Sequence, residues 1–312
     1  MTSHESGPAV RFDRLRIAVI GGDEREPEIA RAAARTGASV HGYGFPLPEG
    51  GVAGVQIETT PEAAAKGADY CLFPIPLGVG HELYAPSASV PIMADESLLS
   101  QLAPGAHVFC GRVTADIAVS AATVGVTVHE YDPDRELMLL RAPAIVEGAI
   151  QLAIEHTDIT IHDADVVVVG FGNIGSLLAR RLLGLGARVH VAARNPIQRA
   201  GAHADGAHAL PLEDLPDLAA HLDMIFSTVP ARIVGGDVLE RLPRGGLVLD
   251  VAPPPDHADL ELAAKLGHRA VWARGLGKRA PITVGRSQWM GLERRIVDIE
   301  ATGRGAQGPE ER

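Results

Sequence analysis

The chain has 312 residues, 46% of them hydrophobic, which is enough for two domains that each bury their own core. Its formal net charge of −11 argues against binding to nucleic acid, because contacts to phosphates need clustered Lys and Arg. The two cysteines form no disulfide framework, and we find neither a signal peptide nor a run approaching about 20 apolar residues, so we expect a cytoplasmic protein with no membrane contact.

Short β-branched runs alternate with Ala- and Leu-rich stretches, a pattern typical of α/β units around a parallel sheet. In the first half the predicted strands are residues 16–20, 39–42, 70–73, 107–110 and 126–129. In the second half they are residues 165–169, 188–192, 223–228, 247–250 and 269–272.

This alternation predicts an α/β protein with two doubly wound parallel-sheet domains. Residues 15–142 are predicted to form a flavodoxin-like or Rossmann-like substrate domain, and residues 161–280 an NADP-binding Rossmann domain. A bridging helix over residues 143–160 is expected to join them. A return helix over residues 281–302 is expected to pack on the N-terminal domain.

A strand that ends in a glycine-rich turn and leads into a helix has the sequence Asp165-Val-Val-Val-Val-Gly170-Phe-Gly172-Asn173-Ile174-Gly175. In a G-x-G-x-x-G turn the first glycine allows the tight turn, the second lets the backbone approach a diphosphate, and the third lets the helix pack against the strand. The helix N-terminus adds amide donors and the positive end of its dipole. We therefore predict a dinucleotide site formed by Gly170, Gly172, Asn173, Ile174 and Gly175.

The end of the next strand distinguishes the two nicotinamide cofactors. An NAD site places Asp or Glu there for the ribose hydroxyl, whereas an NADP site needs cationic donors for the 2′-phosphate. Residues 191–199 contain no carboxylate, and Arg194 can donate two hydrogen bonds to a phosphate, with Asn195 as a further donor. We predict NADP as the cofactor, the alternative being that Arg194 is an ordinary solvated arginine. Three residues after the third strand of this set are expected beside the nicotinamide half: Thr228, Val229 and Pro230.

A second strand and glycine turn occurs near the N-terminus, in Ile17-Ala-Val-Ile-Gly21-Gly22-Asp23-Glu24-Arg25-Glu26-Pro27-Glu28. The third glycine is missing, and Asp23 and Glu24 would repel a diphosphate. We interpret this turn as a substrate loop rather than a second nucleotide site.

This opening motif, the stretch Pro143-Ala-Ile-Val-Glu147-Gly148-Ala-Ile-Gln-Leu-Ala-Ile-Glu-His156-Thr157-Asp158 and the glycine turn that follows closely resemble the A subunit of dipicolinate synthase. The resemblance covers most of residues 15–300. It implies an oxidation, dependent on a pyridine nucleotide, of dihydrodipicolinate or 4-hydroxy-tetrahydrodipicolinate to dipicolinate, a compound of sporulating bacteria. It also implies a partner, the flavoprotein-like B subunit of that synthase, and we expect a homo-oligomer.

A dicarboxylate substrate needs cationic or N–H donors. Arg25 lies at the carboxyl end of the first strand, in one loop with Asp23, and is the first candidate to bind a substrate carboxylate. The alternative is a helix-surface pair between Arg25 and Glu28. Arg112, directly after the strand 107–110, is a second candidate.

The oxidation also needs a hydride acceptor and a group that removes a proton. Glu147 lies in the apolar bridging helix beside Gly148, which would let a ligand come close, and it is our candidate proton acceptor. The alternative is a partly exposed glutamate that pairs locally. His156 should face the opposite side of that helix, and we interpret it as structural.

Two other functions remain open. One is an NADP-dependent 2-hydroxyacid or amino-acid dehydrogenase, for which only His257 and His268 are available as a catalytic histidine. The other is a non-catalytic NADPH-binding subunit or scaffold. The sequence has no His-Glu-x-x-His or paired-Cys spacing, and His203 and His208 fall in a loop-like region, so we predict no metal site.

Overall fold

The computed structural model describes residues 10–75, 78–131, 134–252 and 258–305. The chain divides into two compact units, of which the first comprises Met1–Leu140 and Ala280–Arg312 and the second Arg141–Arg279. The first and the last described segments of the chain therefore belong to the same unit.

The first unit is built on a six-stranded parallel sheet. Its strands are β1 (Arg16–Ile20), β2 (Ser39–Tyr43), β3 (Val55–Ile57), β4 (Tyr70–Leu72), β7 (His107–Cys110) and β8 (Thr127–Glu130). A two-stranded antiparallel ribbon, β5 (Glu82–Leu83) and β6 (Ile92–Met93), lies between β4 and β7 in the sequence. The helices are α1 (Glu26–Arg35), α2 (Pro61–Ala65), α3 (Glu96–Leu99), α4 (Ala115–Val124), the beginning of α5 (Arg135–Glu155) and α11 (Pro281–Gly305).

The second unit repeats this plan. Its strands are β9 (Asp165–Val169), β10 (Arg188–Ala192), β11 (His208–Leu210), β12 (Met224–Ser227), β13 (Leu247–Asp250) and β14 (Arg269–Trp272). Its helices, after the end of α5, are α6 (Asn173–Gly184), α7 (Pro196–Ala204), α8 (Leu215–Ala219), α9 (Gly236–Leu239) and α10 (Leu260–Lys265).

The two sheets have the same strand order, β3-β2-β1-β4-β7-β8 and β11-β10-β9-β12-β13-β14. In each, the chain adds two strands on one side of the first strand and then returns to add the fourth on its other side. This is the Rossmann order rather than the flavodoxin order, and it creates a crevice at the carboxyl ends of the two central strands, between β1 and β4 and between β9 and β12.

The central strands are apolar because both of their faces are covered. In β9, Val166 and Val168 belong to one core cluster and Val167 and Val169 to another, and none of the four is solvent-exposed. Alternate residues of a strand point to opposite faces, so a run of four valines fills two cores. Strand β1 is arranged in the same way.

Four short strands and the extent of one helix differ from the sequence expectation. Strands β3, β5, β6 and β11 were not predicted. His208, expected in a loop, begins β11, while His203 lies in α7. The helix expected over residues 143–160 begins earlier, at Arg135, and ends at Glu155.

Of the described helices, α5 is the one that is long and apolar enough to cross a membrane. Its mean hydropathy over 18 residues is 1.6. The sequence prediction included no such run. Part of its apolar surface is used in packing, because Leu137 belongs to the core of the first unit and Val146 and Ala149 belong to that of the second.

Helix α11 packs on α1 inside the first unit. A side chain at Gly285 would place its Cβ 2.7 Å from the carbonyl oxygen of Arg25 and 2.9 Å from Cβ of Glu28, so the two helices touch through glycine. The guanidinium of Arg286 donates to Glu28 at 2.9 Å. The carboxylate of Glu28 is buried and also accepts from Arg31 and Arg35 of its own helix.

Two histidines form a stacked, hydrogen-bonded pair in the first unit. Nδ1 of His107 lies 2.9 Å from Nε2 of His129, and the ring centroids are 5.1 Å apart. The rings of Tyr70 and Phe109 extend the stack. Burial lowers the pKa of both histidines, and the neighbouring imidazole lowers that of His129 further.

This pair predicts a loss of stability on acidification. A histidine whose pKa is lower in the folded than in the unfolded protein binds fewer protons when folded. Its contribution to stability is therefore complete above the unfolded pKa, and it is lost as the pH falls from the unfolded pKa through the folded pKa. We expect the urea concentration at the midpoint of unfolding to decrease when the pH is lowered from about 8 to about 5. The decrease should be smaller in His129→Gln. The matched control is His203→Gln, which removes an exposed histidine. Equal pH profiles in the two variants would contradict the interpretation.

Candidate functional site

The glycine turn after β9 is shaped by two close contacts. Gly170 has φ +97°, and a Cβ there would lie 2.6 Å from Cγ1 of Val229 and 2.7 Å from Oγ1 of Thr228. A Cβ on Gly175 would lie 2.3 Å from the carbonyl oxygen of Gly170. Both positions therefore require glycine, the first for the turn and the second for the approach of α6 to β9.

The middle glycine of the turn is different, because it faces open space. A Cβ on Gly172 would meet no atom within 4 Å. Gly172 is the N-cap of α6 and makes no side-chain cap, and the first amides of a helix have no partner within the helix. The amides of Asn173 and Ile174 are therefore placed to donate to an anion beside Gly172.

The residues after β12 form one wall of this turn. The hydroxyl of Thr228 donates to the carbonyl oxygen of Val169 at 2.9 Å, and Val229 packs against the core of the second unit. Pro230 is exposed. Thr228 thus ties the end of β12 to the end of β9 at the point where the crevice opens.

The end of β10 presents an arginine with no bound partner. The side chain of Arg194 is exposed and makes no hydrogen bond or ion pair with a described residue. Asn195 caps α7 by accepting from the amide of Ile197 at 2.8 Å. Arg199 holds the backbone in place by donating to the carbonyls of Ala193 and Arg194, both at 2.8 Å.

Residues 193–204, which run from the end of β10 to the end of α7, contain no carboxylate. The first acidic residue after β10 is Asp205, beyond the end of α7, and it accepts from Arg180 at 2.9 Å. A nicotinamide dinucleotide fits these residues, because an open glycine turn and uncapped amides suit a diphosphate and a free guanidinium suits a further phosphate.

The corresponding turn of the first unit is filled by the protein itself. Gly21 and Gly22 have φ +78° and +102°, and a Cβ on Gly22 would lie 2.1 Å from Cδ of Glu26. One carboxylate oxygen of Glu26 accepts from the amide of Asp23 at 2.6 Å. The amide of Gly22 donates to the carbonyl of Tyr84 at 2.7 Å, so the segment after β5 covers the turn. This glycine turn has no room for a diphosphate.

The candidate substrate residues of the first unit lie in two loops, after β1 and after β7, and β4 separates these two strands in the sheet. Arg25 is buried and donates to both carboxylate oxygens of Asp23, at 2.7 and 2.9 Å. It does not pair with Glu28. Arg112 is exposed and follows Gly111, where a Cβ would lie 2.2 Å from the carbonyl oxygen of Ile75.

Glu147, the candidate proton acceptor, lies on an exposed face of α5. Its side chain is 65% exposed and forms an ion pair with Arg279. The neighbouring Gly148 packs against Leu276, where a Cβ would lie 3.1 Å from the leucine side chain. The geometry is that of a local surface pair, with the helix face beside it closely packed.

Two of the histidines named in the sequence analysis, His156 and His268, make hydrogen bonds that connect parts of the fold. The carbonyl oxygen of His156 accepts from Arg269 at 3.1 Å, which ties the segment after α5 to β14. His268 is buried with Nε2 2.9 Å from the carbonyl oxygen of Leu239. His257 lies outside the described residues. No cluster of three potential metal ligands occurs in the described part of the chain.

Sequence reasoning missed Glu26, Tyr131 and Gln288. Glu26 directly follows the Asp23–Arg25 loop, and its position at the start of α1 after two glycines was the available signal. Tyr131 and Gln288 are buried, with Nε2 of Gln288 3.5 Å from the hydroxyl of Tyr131. They are 157 positions apart in the chain, so no local pattern connects them.

The second unit is a Rossmann-like domain of the NAD-binding class. Residues 144–255 match the family described as the NAD-binding domain of D-isomer specific 2-hydroxyacid dehydrogenases. A nicotinamide cofactor is therefore supported both by the glycine turn and by this match.

The first unit and the whole chain define the family more closely. Residues 16–131 match the N-terminal domain of the dipicolinate synthase A subunit. The chain is 30% identical to the A subunit of dipicolinate synthase from Bacillus subtilis (strain 168), over 92% of this chain and 97% of that protein. It belongs to the family of dipicolinate synthase A subunits.

Solved structures agree with this assignment. The crystal structure of the Bacillus subtilis protein has a TM-score of 0.82 at 29% identity, covering 92% of this chain and 97% of that one. The crystal structure of its Bacillus halodurans counterpart has a TM-score of 0.83 at 27% identity, covering 92% and 98%.

The different surroundings of two glycines predict different effects of the same substitution. Gly172→Ala should leave thermal stability unchanged, because the new methyl group meets only solvent, but weaken nucleotide binding about tenfold or more by blocking the diphosphate. Gly175→Ala should destabilise the protein by about 1–3 kcal/mol, because its methyl group meets a backbone carbonyl that has little freedom to move. Thermal unfolding and calorimetric titration with NADPH measure the two effects. A destabilised Gly172→Ala with normal affinity would contradict the assignment.

Proposed function

We propose that this chain is the NADP-dependent dehydrogenase subunit of a dipicolinate synthase, which oxidises dihydrodipicolinate or 4-hydroxy-tetrahydrodipicolinate to dipicolinate. The observation that carries the cofactor assignment is the guanidinium of Arg194 at the end of β10, which has no partner among the described residues, together with a glycine turn that has open space at Gly172. Membership of the family of dipicolinate synthase A subunits supports the substrate.

The reaction defines what the residues must do. Dihydrodipicolinate becomes aromatic by losing one hydride and one proton, and 4-hydroxy-tetrahydrodipicolinate must first lose water. Bound NADP⁺ supplies the hydride acceptor. The protein must hold two carboxylates, accept the proton and exclude water from the reacting ring.

The proposed cofactor residues follow from the geometry of the second unit. Gly170, Gly172 and Gly175 shape the diphosphate turn, and the amides of Asn173 and Ile174 donate to it. Arg194 and Asn195 would lie beside the 2′-phosphate. Thr228, Val229 and Pro230 would lie beside the nicotinamide half.

The proposed substrate residues are Asp23, Arg25 and Arg112, and the proposed proton acceptor is Glu147. Two parallel hydrogen bonds from Arg25 to Asp23 support this role for Arg25, because this is the arrangement in which a guanidinium binds a carboxylate. In binding substrate Arg25 would share its donors with Asp23 or exchange one carboxylate for another. The carboxylate of Glu147 is paired with Arg279, which fixes its direction on the face of α5.

Two alternatives have their own support. The match of residues 144–255 to 2-hydroxyacid dehydrogenases favours oxidation of a hydroxy acid, or by extension an amino acid. The only catalytic histidine candidate within the described residues, His268, is however bound to a backbone carbonyl. The exposed ion pair of Glu147 favours instead a non-catalytic NADPH-binding subunit that supports a partner.

The partner follows from the relative's name. A protein called the A subunit of dipicolinate synthase implies a further subunit, and we propose that this chain binds a flavoprotein-like B subunit. We also propose that it forms a homo-oligomer in the cytoplasm.

Arg194→Asp should reverse the preference between the two nicotinamide cofactors. It removes a charge-assisted contact of about 1.5–3 kcal/mol, so NADPH affinity should fall about ten- to a hundredfold, while a carboxylate that accepts from the ribose should improve NADH binding. The control is Arg181→Asp, which makes the same charge change on an exposed residue of the last turn of α6. Calorimetric titration with both nucleotides measures the preference. An NADPH affinity equal to that of the control would contradict the NADP assignment.

Turnover separates the three candidate functions. The purified chain is incubated with NADP⁺ and freshly made 4-hydroxy-tetrahydrodipicolinate, and separately with hydroxy and amino acids, while the absorbance of NADPH and of the pyridine ring is followed. We expect both absorbances to rise with the first substrate, alone or once the B subunit is added. Glu147→Gln should lower kcat about a hundredfold or more, within the usual contribution of a general base. The proposal would be refuted if NADPH formed only with a hydroxy or amino acid, or if none of the tested substrates gave NADPH.

A further inference from the structure

A cluster of charged side chains is buried at the carboxyl end of β1. Asp23 is fully buried, and Arg25 and Glu26 are 7% and 2% exposed. Asp23 and Arg25 neutralise each other in their two-bonded pair. Glu26 is thus a third ionisable group in a place that already has a balanced pair.

The carboxyl group of Glu26 is only half satisfied. One oxygen accepts from the amide of Asp23 at 2.6 Å, and the other is buried with no hydrogen-bond partner among the described residues. An ionised carboxylate in this position would be an uncompensated buried charge, which is strongly unfavourable. Burial, helped by the negative charge of Asp23 and opposed by Arg25, raises the pKa of Glu26 to about 7.

Other groups around the cluster do not supply the missing positive charge. Tyr131, at the end of β8, is a buried phenol whose pKa is raised by burial and, to a smaller extent, by the nearby Glu26. From α11, Gln288 is neutral and Arg286 is committed to Glu28. The segment after β5 contributes a backbone carbonyl to Gly22, and Glu24 of the same loop is exposed.

The cluster lies where a ligand is expected in the first unit. The loops after β1 and β4 flank the point at which the strand order reverses, and ligands of open parallel sheets bind at such points. With Glu26 ionised, the three side chains carry a net charge of −1, which repels a dicarboxylate. With Glu26 protonated, they carry none.

We propose that Glu26 couples binding of a dicarboxylate beside Arg25 to the uptake of one proton. The choice of a dicarboxylate rests on the proposed function above. An anion that binds beside Arg25 adds negative potential near Glu26 and favours its protonated form, and by linkage the protonated form binds the anion more tightly. Glu26 changes the affinity for the anion through the net charge of the loop and takes no part in the chemistry, so it is a positioning residue.

Calorimetry of dipicolinate binding to the full chain tests this coupling without turnover. Titrations in pairs of buffers with different ionisation enthalpies give the number of protons bound per ligand. We expect uptake that approaches one proton at about pH 8, and an affinity that falls by up to about tenfold per pH unit above about pH 7. Glu26→Gln, which mimics the protonated side chain, should abolish the uptake and flatten the pH dependence.

Glu24→Gln is the matched control, since it removes an exposed carboxylate from the same loop, and it should take up protons like the wild type. Absence of uptake in the wild type, uptake that persists in Glu26→Gln, or absence of dipicolinate binding at every pH would overturn the proposal. If Glu26→Gln does not fold, infrared difference spectra of the wild type replace it. A protonated-carboxyl band must then grow when dipicolinate is added at about pH 8, and a spectrum without it overturns the proposal.

These outcomes are separate from the proposed function. Proton-coupled dipicolinate binding without NADP⁺-dependent oxidation would refute the dehydrogenase assignment and leave the role of Glu26 standing. Oxidation of the substrate together with proton-independent binding would support the dehydrogenase assignment and refute the role of Glu26.

Discussion

The point at which each parallel sheet reverses its strand order is the constraint on which the other features depend. At that point the chains that leave two adjacent strands turn in opposite directions, so backbone amides and loop side chains face a crevice instead of another strand. Both units have this arrangement, between β1 and β4 and between β9 and β12. The residues placed at the two crevices decide what each unit can bind.

The two glycine turns show how the same topology gives opposite results. At Gly172 the space beside the turn is empty and the helix amides are uncapped, which suits a diphosphate. At Gly22 the same space holds the carboxyl group of Glu26, which accepts from the amide of Asp23. A side chain of the protein thus takes the place of an anionic ligand at the start of α1, and the first unit is closed to a dinucleotide.

The arginines near the crevices differ in whether they already have partners. Arg194 is exposed and without a side-chain partner among the described residues, and it remains available to a phosphate. Arg25 is buried against Asp23, so a ligand must compete with an internal carboxylate. A buried pair of this kind is costly to separate, which favours a ligand that supplies a carboxylate of its own.

The amino-acid sequence by itself determined the class of fold, the main strands and the glycine turn at residues 170–175, because continuous apolar strands and glycine spacing are local patterns. It also placed Arg194 at the end of a strand with no acidic neighbour. The edge strands β3 and β11 were missed, because they have three residues each and are largely exposed, so only their pairing with β2 and β10 defines them. Only the tertiary structure decided the partner of Glu147, which is 132 positions away. Arg25 and Glu26 pair with the nearby Asp23, but the burial that raises the pKa of Glu26 depends on the elements packed around the loop, and no local pattern reports it.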